Sequence, residues 1–554
     1  MPQKLSGTPC SGPAPAHHTA LVRGKAPSTR PRDTRAPSPR QRPRAPPYDR
    51  RPRRPSPHPT RPHAHPRVRH HRLMGKVAGI ESSSAGTTIV VCDTDTGEVL
   101  RHGHAPHPLG EGEKPTEIDP QAWLLSLGEA ATGGVLEGVQ AIGVAGQQHG
   151  LVALDAGGVA VRPALLRGDK RAQVQAADLV EELGGAPGWT EAVGAVPQAA
   201  HPVAKLRWLA RHEPAAAKRI AEVMLPHDWL VWQLLGRPAR RTTDRGDASG
   251  TGYWSAATGQ YRPDLLERAL GHGVRVPDVL APAEPAGQTP EGLLISAGTG
   301  DTMAAALGLG LGPGDAVVSL GASGTVFAIH HEALRDPTGT VTSYADATGR
   351  HLPQLQVRNV VRTLRATADL LGTDVGGLSE LALKSTPGSY GLVLLPYLEG
   401  ERTPDLPHTA GTLTGLRRES MKPEHLARAA FEGMLCALAD ALDVLRGKGV
   451  AVRRVVLLGP AAELEAVQVI APPLLGAQVV VPPAAEYAAI GAARQAAWAL
   501  GVVLGTQSQA EPPQWPLNGA RLLEPGEDAA VGSAVRQQFR SVREHTHPGA
   551  FDAL

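Results

Sequence analysis

Cysteine is almost missing from this 554-residue chain: there are three, Cys10, Cys92 and Cys436, far apart and odd in number. That excludes a disulfide framework and any zinc-ligand spacing, and it fits a reducing, cytoplasmic compartment. No run of 18 or more apolar residues occurs, so no membrane span is expected. Aromatic residues are few, at 3%, whereas Gly (63) and Pro (51) are abundant. A surplus of basic charge is also lacking once the first 73 residues are set aside. They hold 17 of the 56 Lys and Arg but 2 of the 53 Asp and Glu, which leaves a mildly acidic body with no basic surface implied. The length is too great for one hydrophobic core, so two or three domains are expected.

Residues 31–67 are rich in Pro, Arg and His and nearly free of large apolar side chains. Such a segment cannot bury enough surface to offset its ordering entropy, and residues 1–73 are expected to be a disordered extension. A nucleic-acid-binding arm rests on this stretch alone and is disfavoured. A targeting helix is opposed by the prolines. Patterned sequence starts abruptly at Met74, as it would after a mis-assigned start.

In the body, short apolar runs at 76–80 and 87–93 flank a small-residue turn and read as a hairpin, with a third strand over 96–105. A buried strand is expected at 139–146 and a hairpin over 150–166 turning at Gly157 and Gly158. Helical patterns cover 170–183, 203–212, 216–223 and 225–236. The opening then recurs: 315–331 is again strand, small-residue turn, strand, with Ser323-Gly324-Thr325 matching Ala85-Gly86-Thr87. Apolar segments at 390–398, 452–459 and 477–483 and helices at 423–446 and from 488 follow, with a charged helix at 529–545. The expected organisation is a duplicated α/β protein: a first lobe over 74–312, a second over 313–505 and a tail over 506–554.

Turns of small residues after strands can set backbone N–H groups against phosphate. Two related turns, one in each half, fit a nucleotide clamped between lobes. Asp301, a lone acid in "GTGDTMAAALG" (298–308), is costly if buried without a task. It could cap the helix that follows or serve as a base.

Several segments carry a family resemblance: "AGQQHG" (145–150), "LPHDWL" (225–230), "DRGDASGTGYW" (244–254), "GTGD" (298–301), "SLGASGTV" (319–326), "LPYLEGERTP" (395–404) and "GAARQAAW" (491–498). Over about 76–500 the chain resembles the FGGY carbohydrate kinases, their xylulokinase branch most closely. The resemblance implies two ribonuclease-H-like lobes of the actin-like ATPase fold. It implies ATP and Mg2+ in the cleft, a ketopentose as phosphoryl acceptor and phosphorylation of D-xylulose to D-xylulose 5-phosphate; a homodimer is left open. It makes Asp301 the base and a sugar contact, with Gln148, His149, Asp169 and Arg171 beside the sugar. Asp169 and Arg171 equally fit a loop ion pair. It places Ser84, Gly86, Thr87, Gly321, Ser323, Gly324, Thr325 and Gly459 on the nucleotide and Glu81 on the metal.

The same comparison exposes departures. Glu81 stands where Asp is usual, Ser83 where Gly is, Thr88 where Lys is and Ala322 where Thr is. Arg167 replaces a sugar-side Trp, and Thr302 replaces Asn. The adenosine loop reads Gly459-Pro460-Ala461-Ala462-Glu463-Leu464, in which Pro460 lacks an N–H and Glu463 adds charge. These changes open an alternative: a degenerate, non-catalytic relative that binds a sugar or a partner.

Overall fold

The protein is described from a computed structural model covering residues 75–108, 116–526 and 528–552. The basic extension, Met74 and Cys10 lie outside the described residues. Two seven-stranded sheets organise the rest. The first contains β1 (Lys76–Ser82), β2 (Gly86–Asp93), β3 (Val99–Pro106), β4 (Val139–Gly146), β5 (Pro285–Gln288), β6 (Leu294–Ser296) and β7 (Thr299–Gly300). Their order is β5-β6-β4-β1-β2-β3, with β7 also pairing β4. The second contains β8 (Gly314–Ser319), β9 (Gly324–Ala328), β10 (Thr342–Ala345), β11 (His351–Val357), β12 (Val452–Leu458), β13 (Gln478–Val481) and β14 (Arg521–Leu523), ordered β10-β11-β9-β8-β12-β13-β14.

Six strands of each sheet repeat one another. The path β3-β2-β1-β4-β6-β5 matches β11-β9-β8-β12-β13-β14 in order and in every pairing sense. In each, an antiparallel hairpin feeds parallel central strands and an antiparallel strand closes the far edge. The recurrence in sequence is thus a repeat in architecture, and Gly86 and Gly324 open equivalent strands.

Central strands are buried on both faces, which is why they read as continuous apolar runs rather than alternating ones. Ala78, Ile80, Ile89 and Val91 face a core with Trp123 and Trp229. Val77, Val90 and Cys92 face Ala489, Ala493 and Ala496. Those alanines belong to a helix from the far end of the chain (Tyr487–Val503), which packs on the first sheet although the preceding strands belong to the second. Its approach is very close. A Cβ on Gly79 would lie 1.8 Å from the Ala489 carbonyl oxygen, and one on Gly143 would lie 2.0 Å from that of Ala492. Small side chains are therefore a steric condition of this contact.

The second lobe is built around a 25-residue helix, Pro423–Gly447, whose Ala430, Phe431, Leu435 and Leu438 are fully buried. Residues 506–526 and 528–552 are part of the body. Trp515 donates its indole N–H to the Thr94 carbonyl (3.1 Å), β14 extends the second sheet, and helix Ala529–Thr546 buries Val535 and Phe539.

Two expected elements differ. The span 216–223 is helical only as Pro214–Ala217; Glu222–Met224 is a strand paired with Val152–Leu154. The Asp155–Gly158 turn forms, but the strands around it are short and find their main partners outside the expected hairpin. At 216–223 a short apolar run does not by itself distinguish helix from strand; at 150–166 tertiary pairing took the strands away from one another.

Candidate active site

Three first-sheet strands end together. In register, Glu81 of β1 and Thr299 of β7 both pair with Ala145 of β4, and Ser82 and Gly300 both pair with Gly146. Residues just past those ends, Gln148, His149 and Asp301, share the carboxyl edge of the sheet, where open α/β sheets place ligands. Gly300 keeps this junction open: a Cβ there would meet Gln148 Cγ at 2.6 Å and Asp247 Oδ1 at 3.1 Å.

Asp301 begins the helix Asp301–Gly308, and Gly300 is its cap residue, so the carboxylate is not the helix cap. Its Oδ1 accepts the Thr302 N–H (2.8 Å) and lies 3.3 Å from the Thr302 hydroxyl. Its Oδ2 pairs with the guanidinium of Arg167, whose Nε lies 3.4 Å from the Gln148 carbonyl oxygen. The residue marked in the sequence only as a departure from a Trp is thus the partner of the expected base.

Gln148 is buried, and its amide donates to the Met303 sulfur (3.1 Å). His149 takes a left-handed backbone (φ 66°), uncommon for a non-glycine residue and a feature that clusters at functional sites. Its ring stands 4.8 Å from that of His201 and 6.0 Å from that of Tyr344. Burial, followed by His201, holds the His149 imidazole well below its ordinary range, so it is neutral. Asp169 and Arg171 form an ion pair with each other (2.6 Å), and Arg171 also reaches Glu117 (3.1 Å) and stacks over Trp208. Their observed contacts are those of a loop pair.

Glu81 is half-buried. Burial, then Asp301 and Glu486, push its carboxyl up to about 7, while Arg167 pulls it down. Ser84 is exposed, Gly86 is buried, and Thr87 is buried with its hydroxyl unpartnered. In the turn between β1 and β2, the Ser83 hydroxyl accepts the N–H groups of Ala85 (3.1 Å) and Gly86 (3.2 Å). Thr88 pairs with His104 (3.1 Å).

In the second lobe Gly321 is half-buried, Ser323 exposed, Gly324 buried and Thr325 half-buried. Gly459 lies against the same turn. Its φ is 97°, and a Cβ there would come within 2.8 Å of the Leu320 carbonyl oxygen. Pro460 opens a 3-10 turn, a position where a missing N–H is tolerated, and Glu463 is paired with Arg521 of β14. The charge expected to repel a nucleotide therefore has a counter-ion.

Beneath Asp301 lies a charge cluster that the sequence did not assign. His227 contacts Asp247 (2.8 Å) and Asp228 (3.0 Å); Asp244 caps the short helix Arg245–Ala248 and accepts the Thr299 hydroxyl (2.7 Å). All four side chains are buried. Burial opposes a charge on His227, but the surrounding carboxylates outweigh it and raise the imidazole to about 9. Lys205, fully buried, donates to the carbonyls of His149 and Leu165, tying the histidine to the segment that carries Arg167. Burial lowers its ammonium to about 7. The signal for the cluster lay in "LPHDWL" and "DRGDASG", which carried the resemblance without a role.

Comparison with known proteins accords with this geometry. The N-terminal domain model of the FGGY family of carbohydrate kinases matches residues 77–308, and its C-terminal domain model matches 316–500. A xylulose kinase of Streptomyces coelicolor is 42% identical over 450 residues, covering 79% of this chain and 90% of that protein. One from Haemophilus influenzae is 30% identical over 448 residues, covering 76% and 90%. The crystal structure of xylulose kinase from Bifidobacterium adolescentis superimposes with a TM-score of 0.77 at 38% identity, covering 85% of this chain and all of that one. Among the described residues no helix is long and apolar enough to cross a membrane. The repeated sheets are the two lobes of the actin-like ATPase fold, and the chain belongs to the FGGY family of carbohydrate kinases.

Proposed function

We propose that the chain transfers the γ-phosphoryl group of ATP to the terminal hydroxyl of D-xylulose, giving D-xylulose 5-phosphate and ADP. The observation that carries this is Asp301, set at the carboxyl edge of the first sheet with Gln148 and His149 beside it. The substrate assignment is supported by the xylulose kinases that the chain resembles over 90% of their length.

In this reading the first lobe holds the sugar, and Asp301 takes the proton from the attacking hydroxyl. The hydroxyl oxygen bonds to the γ-phosphorus as the bond to the bridging oxygen of ADP breaks. Phosphoryl transfer is mainly positioning and charge stabilisation, so one carboxylate within hydrogen-bond reach suffices as base. Neutral His149 can donate or accept a hydrogen bond to a sugar hydroxyl, as can the Gln148 amide. Asp169 and Arg171 shape the neighbouring loop. The turns at Ser84, Gly86 and Thr87, and at Gly321, Ser323, Gly324 and Thr325, flank the nucleotide, with Gly459 on the adenosine side.

Glu81 fits a divalent ion. It is a hard oxygen donor whose proton affinity is raised by burial and by Asp301 and Glu486, a setting that an added cation would relieve. The Glu81 carboxylate would hold Mg2+ through its oxygens. When bound, that ion supplies neutralisation of phosphate charge.

Nothing in the fold or the relatives favours the non-catalytic alternative. The test is ATP-dependent phosphorylation across a panel of ketoses, with Asp301→Asn alongside. D-Xylulose should be the best acceptor, and the Asn variant should lose about 10²–10⁴ in kcat. A variant that keeps more than about a tenth of kcat would remove Asp301 from the role of base.

A further inference from the structure

We infer that Arg167 is a positioning residue for the base: it fixes the orientation of the Asp301 carboxylate. This rests on the reading of Asp301 as base. Both carboxylate oxygens are held, Oδ1 by the Thr302 N–H (2.8 Å) and Oδ2 by the Arg167 guanidinium, so the carboxylate cannot turn about its last bond without losing a partner. Arg167 is itself directed by its Nε, 3.4 Å from the Gln148 carbonyl oxygen, which ties the base to the strand end that carries Gln148 and His149.

The pair is poorly suited to a purely stabilising part. The Arg167 side chain is 44% exposed and that of Asp301 21%, and ion pairs open to solvent contribute little to folding. The segment bearing Arg167 is anchored separately, through Lys205 and the Leu165 carbonyl (3.2 Å). What the contact provides is direction. A base acts only within about 2.6–3.2 Å of the proton it takes, and small misplacement is costly in rate. One lone pair of Oδ2 holds the guanidinium and the other remains for the sugar hydroxyl.

The experiment is steady-state kinetics with ATP and D-xylulose on Arg167→Gln, Arg167→Lys, Asp301→Asn and the Arg167→Gln/Asp301→Asn double variant, each checked for an unchanged melting temperature. Arg167→Gln should lose about 10- to 100-fold in kcat. Arg167→Lys, with charge but no fork, should fall between. In the Asp301→Asn background the Gln change should cost less than about twofold, because its effect passes through the carboxylate. Added guanidinium ion should restore part of the activity of Arg167→Ala.

Unchanged kcat in Arg167→Gln would overturn the inference, as would a full additional loss on top of Asp301→Asn. If Arg167→Gln fails to fold, rescue of Arg167→Ala decides in its place, and no rescue overturns the inference. Failure of the underlying reading looks different: Asp301→Asn alone would then stay active, whatever Arg167 does.

Discussion

His227 shows how a single residue can join packing to charge. Its ring is fully buried between Asp247 and Asp228, and the carboxylates around it raise its ionisation to about 9 from 6.5. A group held protonated in the fold stabilises fully below its unfolded pKa, and that contribution is lost as pH rises through the folded value. The window here runs from about 6.5 to about 9. Lys205 runs the other way, because burial lowers it to about 7 from 10.5, so its neutral form favours the fold as pH climbs. The whole-protein pH curve mixes the two with the carboxylates that face His227, since burial pushes Asp247 up to about 7 and Asp228 up to about 6. His227→Gln should destabilise the protein by several kcal/mol near pH 6, since removing one partner leaves buried carboxylates uncompensated. Chemical denaturation of both proteins at pH 6 measures it, and unchanged stability would show that His227 does not compensate these carboxylates. None of this could be read from "LPHDWL" alone, because a charge cluster depends on which segments the fold brings together.

At the scale of elements, the hairpins and most helices were legible because burial on both faces writes continuous apolar runs and because caps and glycines mark their ends. The helix Pro423–Gly447, the strand Val452–Leu458 and the hairpin pair match their expected spans closely. At 216–223 a three-residue strand carries too little pattern to outweigh local helix propensity, whereas at 150–166 the strands form but take partners distant in sequence. Asp301 stood out in the sequence as a lone acid, whereas its ion-pair partner Arg167 was visible only as an anomaly. The β1–β2 turn is a further case. Ser83 reads as the loss of a glycine, but its hydroxyl occupies the N–H groups of Ala85 and Gly86, two donors that a phosphate would otherwise take. Ser83→Gly should release them and lower the KM for ATP by roughly fivefold, about 1 kcal/mol for the freed hydrogen bonds, with the sugar KM unchanged. An ATP KM that rises or stays put would mean that the hydroxyl itself serves the nucleotide or that the turn lies away from it.

At the scale of the whole molecule, the chain is not two beads in sequence order. Helix Tyr487–Val503 follows second-lobe strands yet packs on the first sheet, and the chain then returns to complete the second sheet with β14. Residues 506–552 fall beyond the segment that the family's C-terminal domain model matches, and from sequence they read as a polar tail. The structure gives them three tasks. Trp515 covers Val90 and Cys92 on the first sheet, and β14 closes the edge of β13. Helix Ala529–Thr546 sets Phe539 into the second core and aims Arg536, Arg540 and Arg543 at Asp440 and Asp443 of the central helix. Asp440 is almost fully buried, so loss of these arginines would strand a charge inside the lobe, a cost of several kcal/mol. Loss of Phe539 would add about 3–5 kcal/mol. Together these approach the whole stability of a typical domain. A chain ending at residue 505 should therefore fail to fold as a soluble kinase. Phe539→Ala in the full chain should fold with a melting temperature lowered by several degrees. Differential scanning calorimetry on the point variant, and soluble yield with kinase activity for the truncation, read the two outcomes. A truncated chain that stays soluble and active would show that the contacts made by residues 506–552 are dispensable to both lobes.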